Sequence, residues 1–142
     1  MKANPVTVLY VEDDDVDFWT IERQVEAGGI PCKLARASTP EEAFDKLRGE
    51  NGQEALPSPR IILLDINLPG YNGIEFLRQL REDPALAHTV VFALSTSSSP
   101  QDIEDAHKLN VAGYFLKDTR DACCINMVGF LETYVCCAQF PE

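Results

Sequence analysis

Four short apolar runs in this chain each stop at a polar group. The acids Glu12-Asp13-Asp14-Asp15 follow Val6 to Val11, Asp65 follows Ile61-Ile62-Leu63-Leu64, Ser95-Thr96 follow Val90 to Leu94, and Lys117 follows Gly113 to Leu116. Carboxylates gathered without a glycine-rich phosphate loop are hard oxygen ligands suited to Mg²⁺. A further aspartate can serve as a nucleophile toward phosphorus, while a lysine and a hydroxyl neutralise phosphoryl oxygens. The residue types therefore point to phosphoryl capture. Asp65 would be the nucleophile, and Glu12, Asp13 and Asp65 together would be Mg²⁺ ligands. Lys117 would pair with Asp65 and the phosphoryl oxygens, and the Ser95 hydroxyl would donate to one of those oxygens. Each acid by itself reads as a solvated loop residue, so the weight lies on the matched set.

Such groups meet only if the runs are neighbouring strands, and the chain is punctuated for that. Val6–Val11, Cys32–Ala37, Arg60–Asp65, Val90–Leu94 and Gly113–Leu116 read as strands. The unbroken Ile-Ile-Leu-Leu run marks a strand covered on both faces. Helical patterns lie between them: Val16 to Ala27, stopped by Gly28-Gly29; Pro40 to Leu47, capped by Thr39; Ile74 to Arg81; Pro100 to Leu109, capped by Ser99; and Arg120 to Cys136. Gly49 to Pro59 reads as a surface loop. Alternating strands and helices predict an α/β fold, a doubly wound five-stranded parallel sheet with helices on both faces. Ligands of such sheets bind beyond the carboxyl ends of the strands, where the polar groups stand.

Composition narrows the function classes. The 142 residues carry 12 Lys and Arg against 23 Asp and Glu, a net charge of −11, which repels phosphodiester backbones and anionic lipid. Nucleic acid and membrane are accordingly not expected as partners. The apolar runs are far shorter than the roughly 20 residues of a membrane span, and Met1 to Pro5 lack the apolar stretch of a signal peptide. A cytoplasmic protein is expected. The five cysteines, Cys32, Cys123, Cys124, Cys136 and Cys137, show no zinc-ligand spacing and read as reduced packing thiols.

The segments Val8-Leu9-Tyr10-Val11-Glu12-Asp13-Asp14, Ile62-Leu63-Leu64-Asp65-Ile66-Asn67-Leu68-Pro69-Gly70 with Gly73, Ala93-Leu94-Ser95-Thr96 and Gly113-Tyr114-Phe115-Leu116-Lys117 resemble the response-regulator receiver domain of two-component signalling. The resemblance spans nearly the whole chain. It implies the flavodoxin-like strand order 2-1-3-4-5, with Asp65 as phosphoacceptor and Glu12 and Asp13 as the acidic pair. Asn67 would give its backbone carbonyl to Mg²⁺, Ser95 would be the switch hydroxyl and Tyr114 the switch aromatic. One departure is Asp118, where the family usually has a proline after the lysine.

A haloacid-dehalogenase-like phosphatase also uses a nucleophilic aspartate and Mg²⁺, but it carries an Asp-x-Asp motif on the first strand. A flavodoxin-like FMN carrier needs a phosphate-cradling first loop, which Glu12 to Asp15 would oppose. A degenerate receiver acting only as an interaction module would not need Asp13, Asp65 and Lys117. The expectation is therefore a phosphoacceptor and not an enzyme: one receiver domain over residues 1–142, with no output domain. It would be served by a histidine kinase, of the phytochrome type by similarity to stand-alone regulators, or by a histidine phosphotransfer protein. On the last helix Cys124, Val128, Leu131 and Val135 form a stripe for the sheet, flanked by Met127 and Tyr134. Phe130 and Cys137 widen the apolar arc to roughly 180°, more than one buried face requires. A homodimer through strand five and this helix would cover the excess.

Overall fold

The structure is a computed structural model that describes residues 6–58, 60–67, 70–96, 98–117 and 121–138, the side chains of 121–128 excepted. Five strands and five helices alternate: β1 Val6–Val11, α1 Asp15–Gly28, β2 Cys32–Ala37, α2 Pro40–Arg48, β3 Arg60–Asp65, α3 Gly73–Glu82, β4 Val90–Ser95, α4 Pro100–Lys108, β5 Gly113–Leu116 and α5 Asp121–Cys137. All strand pairs are parallel and the order is β2-β1-β3-β4-β5. The expected fold class and strand order are both found, and element ends differ from the sequence reading by a residue or so. Among the described residues, no helix is long and apolar enough to cross a membrane.

Side chains alternate across a strand, and each central strand feeds two cores. Leu9, Val11, Ile62, Leu64, Val91 and Ala93 face α2, α3 and α4, meeting Phe44, Leu77 and Ala106. Their neighbours Val8, Tyr10, Ile61, Leu63, Phe92 and Leu94 face α1 and α5, meeting Phe18, Ile21, Leu131 and Val135. Two-sided burial is why these strands read as continuous apolar runs. Leu131 and Val135 lie where the last-helix stripe predicted, whereas the side chains of Cys124, Met127 and Val128 fall outside the described residues, as does Asp118.

The same alternation sorts the polar strand ends. Val11 pairs with Leu64, Asp65 with Leu94, and Ser95 with Leu116, so Glu12, Asp65 and Lys117 arrive at nearly one level. Two residues beyond Tyr10, Leu63 and Phe115, they emerge on the α1 and α5 side of the sheet. Ser95, two beyond Ala93, emerges on the other side, where Tyr114 packs against the α4 core.

Turn chemistry fixes the helix starts around this edge. Asp14 caps α1 by accepting from the Asp17 N–H and Asn72 caps α3 by accepting from Ile74 N–H. Ser99 caps α4 by accepting from Asp102 N–H. Gly73 opens α3 against the residue after Asp65: its N–H donates to the Ile66 carbonyl at 2.9 Å. A Cβ there would stand 2.6 Å from Ile66 Cα. Only glycine allows so close an approach, which ties the end of β3 to α3.

Candidate functional site

The strand ends surround an open cavity of about 450 Å³ whose wall includes Glu12, Asp13, Asp17, Asp65, Asn67, Thr96 and Lys117. At its centre the Lys117 ammonium donates to Asp65 Oδ2 at 2.9 Å, to Asp17 Oδ2 at 2.9 Å and to Glu12 Oε1. Glu12 Oε1 also accepts from the Tyr10 hydroxyl at 3.3 Å. Asp65 Oδ1 accepts from the Asn67 N–H at 3.0 Å, and the Asn67 side-chain amide donates to Ser95 Oγ at 2.7 Å.

The acidic run divides its labour. Asp14 is spent on the α1 cap, Asp15 on Arg36 at 2.7 Å, and Asp17 on Lys117. Carboxylate oxygens of Glu12, Asp13 and Asp65 lie within 4.8 Å of one another, a grouping able to hold a metal ion. The structure thus brings together the carboxylates that the sequence reading assigned to Mg²⁺. Glu12 Oε2 is buried with no hydrogen-bond partner among the described residues. A buried, unpartnered carboxylate oxygen is costly unless something meets it, and a hard divalent cation with its waters fits that need.

Burial explains the electrostatics. Loss of water pushes the Glu12 carboxyl up to about 8, reinforced by its nearness to Asp65 and opposed by Lys117. Burial also works against the Lys117 ammonium. Tyr10 and the carboxylates of Glu12, Asp65 and Asp17 outweigh it and hold its pKa above the ordinary lysine range. Partial burial of Asp17 is likewise outweighed by Lys117, which holds that carboxyl below its usual range.

Two contributors escape a reading of strand ends. Arg36, on β2, donates to the Glu12 carbonyl from Nε and to the Asp13 carbonyl from Nη2, each at 3.0 Å. Its guanidinium also lies over the Phe18 ring. It clamps the loop that carries Asp13. The other is Asp17, whose only sequence signal is a place one turn beyond the acidic pair at the start of a helix. Ser95 is fully buried behind Asn67, and it is Thr96 that lines the cavity. Tyr114 is half-buried.

A parallel α/β domain with clustered carboxylates and one lysine at the carboxyl ends of its strands defines the receiver class. Residues 8–128 match the response regulator receiver domain, and the chain belongs to that family, the receivers of two-component signalling. A receiver of this kind implies a histidine kinase as its partner. The chain is 28% identical over 130 residues to the response regulator Rcp1 of Synechocystis, covering 92% of this chain and 88% of Rcp1. With the nitrate/nitrite response regulator protein NarL of Escherichia coli it shares 46% identity over 119 residues, 82% of this chain and 50% of NarL. The phosphorylated cyanobacterial phytochrome response regulator RcpA superposes with a TM-score of 0.87 at 29% identity, over 99% of this chain and 100% of that one. Rcp1 in its Mn²⁺-bound form also gives 0.87, at 27% identity, over 97% of this chain and 100% of that one.

The raised Glu12 pKa has a sign. In metal-free protein its contribution to stability is full below the ordinary value of 4.5 and is lost as pH rises to about 8, because only the folded state retains the proton. Denaturant titrations between about pH 5 and about pH 8.5 should show Glu12→Gln losing less stability than the parent. Equal losses would contradict the assignment.

Proposed function

We propose that the chain is a cytoplasmic receiver that takes a phosphoryl group onto Asp65 from a histidine kinase or a histidine phosphotransfer protein. The observation that carries this is the Asp65 carboxylate at the end of β3, 2.9 Å from the Lys117 ammonium and beside Glu12 and Asp13. An Asp65 oxygen attacks phosphorus, the P–N bond of the donor phosphohistidine breaks, and its electron pair stays on the imidazole nitrogen. Lys117 neutralises charge on the group being transferred, and the Asn67 N–H holds the Asp65 carboxylate in place. Mg²⁺, held by Glu12, Asp13, Asp65 and the Asn67 carbonyl, would supply further neutralisation of phosphoryl oxygens. Because the group ends on the protein itself, the chain is a phosphoacceptor with self-catalysed transfer and dephosphorylation, not a turnover enzyme.

The response to phosphorylation runs through Ser95 and Tyr114. Ser95 Oγ, bonded to Asn67, moves toward the phosphoryl group and shifts a population in which Tyr114 packs inward. The likeness to RcpA, a phytochrome response regulator, supports a phytochrome-type kinase as the partner. The near-complete coverage of RcpA and of Rcp1 supports reading this chain as a receiver along its length. Nucleic acid and membrane surface have no part in this reading, given the net charge of −11. A homodimer through β5 and α5 completes it: Leu116 is 48% and Phe130 39% exposed on that edge, and Phe130 extends an aromatic cluster of Phe92, Phe115 and Tyr134.

With acetyl phosphate and Mg²⁺, intact-mass analysis should show one phosphoryl group on the parent and none on Asp65→Asn. A variant labelled as fully as the parent would remove Asp65 from the role. Sedimentation should find a dimeric parent and a more monomeric Phe130→Asp. A monomeric parent, or an equally dimeric variant, would rule out this surface.

A further inference from the structure

We propose that Asp17 is a positioning residue that occupies one N–H of Lys117 and must yield it before Lys117 can bind a phosphoryl oxygen. The inference rests on the reading that Asp65 takes the phosphoryl group. An ammonium has three donors and no acceptor, and in this structure all three are used, by Glu12 Oε1, Asp65 Oδ2 and Asp17 Oδ2. A phosphoryl oxygen on Asp65 gains a hydrogen bond from Lys117 only if one of these bonds breaks.

Burial decides which. The Glu12 side chain is 1% exposed, and a buried carboxyl group that loses its partner has no water to replace it. Asp65 is 9% exposed and is itself the reacting group. Asp17 is 46% exposed, so water replaces the lost bond and the pair is of the modest, solvent-screened kind. The Asp17 backbone stays at the rim of the pocket when Lys117 moves. Its N–H is held by Asp14 Oδ1 at 3.0 Å, and the preceding loop is clamped by Arg36 through the Glu12 and Asp13 carbonyls. Lys117 therefore chooses between a carboxylate anchored at the rim and the phosphoryl group, and Asp17 also repels that dianion. Asp17 thereby lowers the pocket's affinity for phosphoryl groups and keeps the Lys117 ammonium aimed in their absence.

Beryllofluoride binding with Mg²⁺, followed by fluorescence of Trp19 on α1, measures this affinity without turnover. Asp17→Asn, similar in shape and uncharged, should tighten binding about 1.5- to 5-fold, the range of a partly exposed ion pair. Asp17→Glu, which restores the charge, should return it toward the parent value. Glu26→Gln, the same charge change further along the exposed side of α1, should leave it unchanged. In ¹⁵N spectra of lysine ammonium groups, the Lys117 signal should move less on beryllofluoride addition in Asp17→Asn than in the parent. Affinity that is unchanged or weaker in Asp17→Asn, or that Glu26→Gln tightens equally, overturns the inference and leaves the phosphoacceptor reading standing. A parent that binds no beryllofluoride overturns the phosphoacceptor reading instead.

Discussion

A single ammonium among three carboxylates governs this pocket. Lys117 reaches across from the end of β5 to Glu12, Asp17 and Asp65, groups carried by β1, α1 and β3. Without that cation the buried carboxylates would repel one another with little water to screen them. With it, the carboxyl groups still outnumber the single positive charge, and a divalent cation can neutralise the surplus as Glu12 gives up its proton. The parallel sheet supplies the arrangement. Its register sets the strand ends level, and helices on both faces exclude water from all but the cavity side.

The two faces of the sheet then take different tasks. Glu12, Asp65 and Lys117 leave the strands on the α1 and α5 side, whereas Ser95 and Tyr114 belong to the α4 side. Asn67 spans the boundary, donating its N–H to Asp65 and its side-chain amide to Ser95. A change of charge on Asp65 therefore has a two-bond route to the opposite face. Gly73 makes that route stiff, because α3 starts in contact with the backbone that follows Asp65.

The fold was legible because its signals are local. Runs such as Ile61-Ile62-Leu63-Leu64 and caps such as Thr39, Ser99 and Gly29 announce themselves within a few residues. Asp65, Asp13, Glu12 and Lys117 were legible because they close those runs. Asp17 and Arg36 were not, since their importance lies in partners 100 and 24 residues away, and no local pattern distinguishes them from solvated surface charges. The acidic run could be read as a group but not apportioned. Only the α1 cap and the approach of β2 show that Asp14 and Asp15 are occupied, while the Asp13 carboxylate has no such partner among the described residues. Ser95 was found by position, yet its burial behind Asn67 follows from strand alternation, which the sequence already contained.

Glu12, Asp13 and Asp65 lie close enough together to hold a metal ion, and Lys117 offsets only part of their charge. Calorimetric titration of Mg²⁺ into the parent and into Asp13→Asn tests it most directly, because Asp13 is the exposed member of the cluster and its loss leaves the buried network in place. One saturable site is expected in the parent, weakened at least about tenfold in the variant, since affinity at oxygen-ligand sites follows the number of charged ligands. Equal affinity in both proteins, or no binding to the parent at millimolar Mg²⁺, would contradict it.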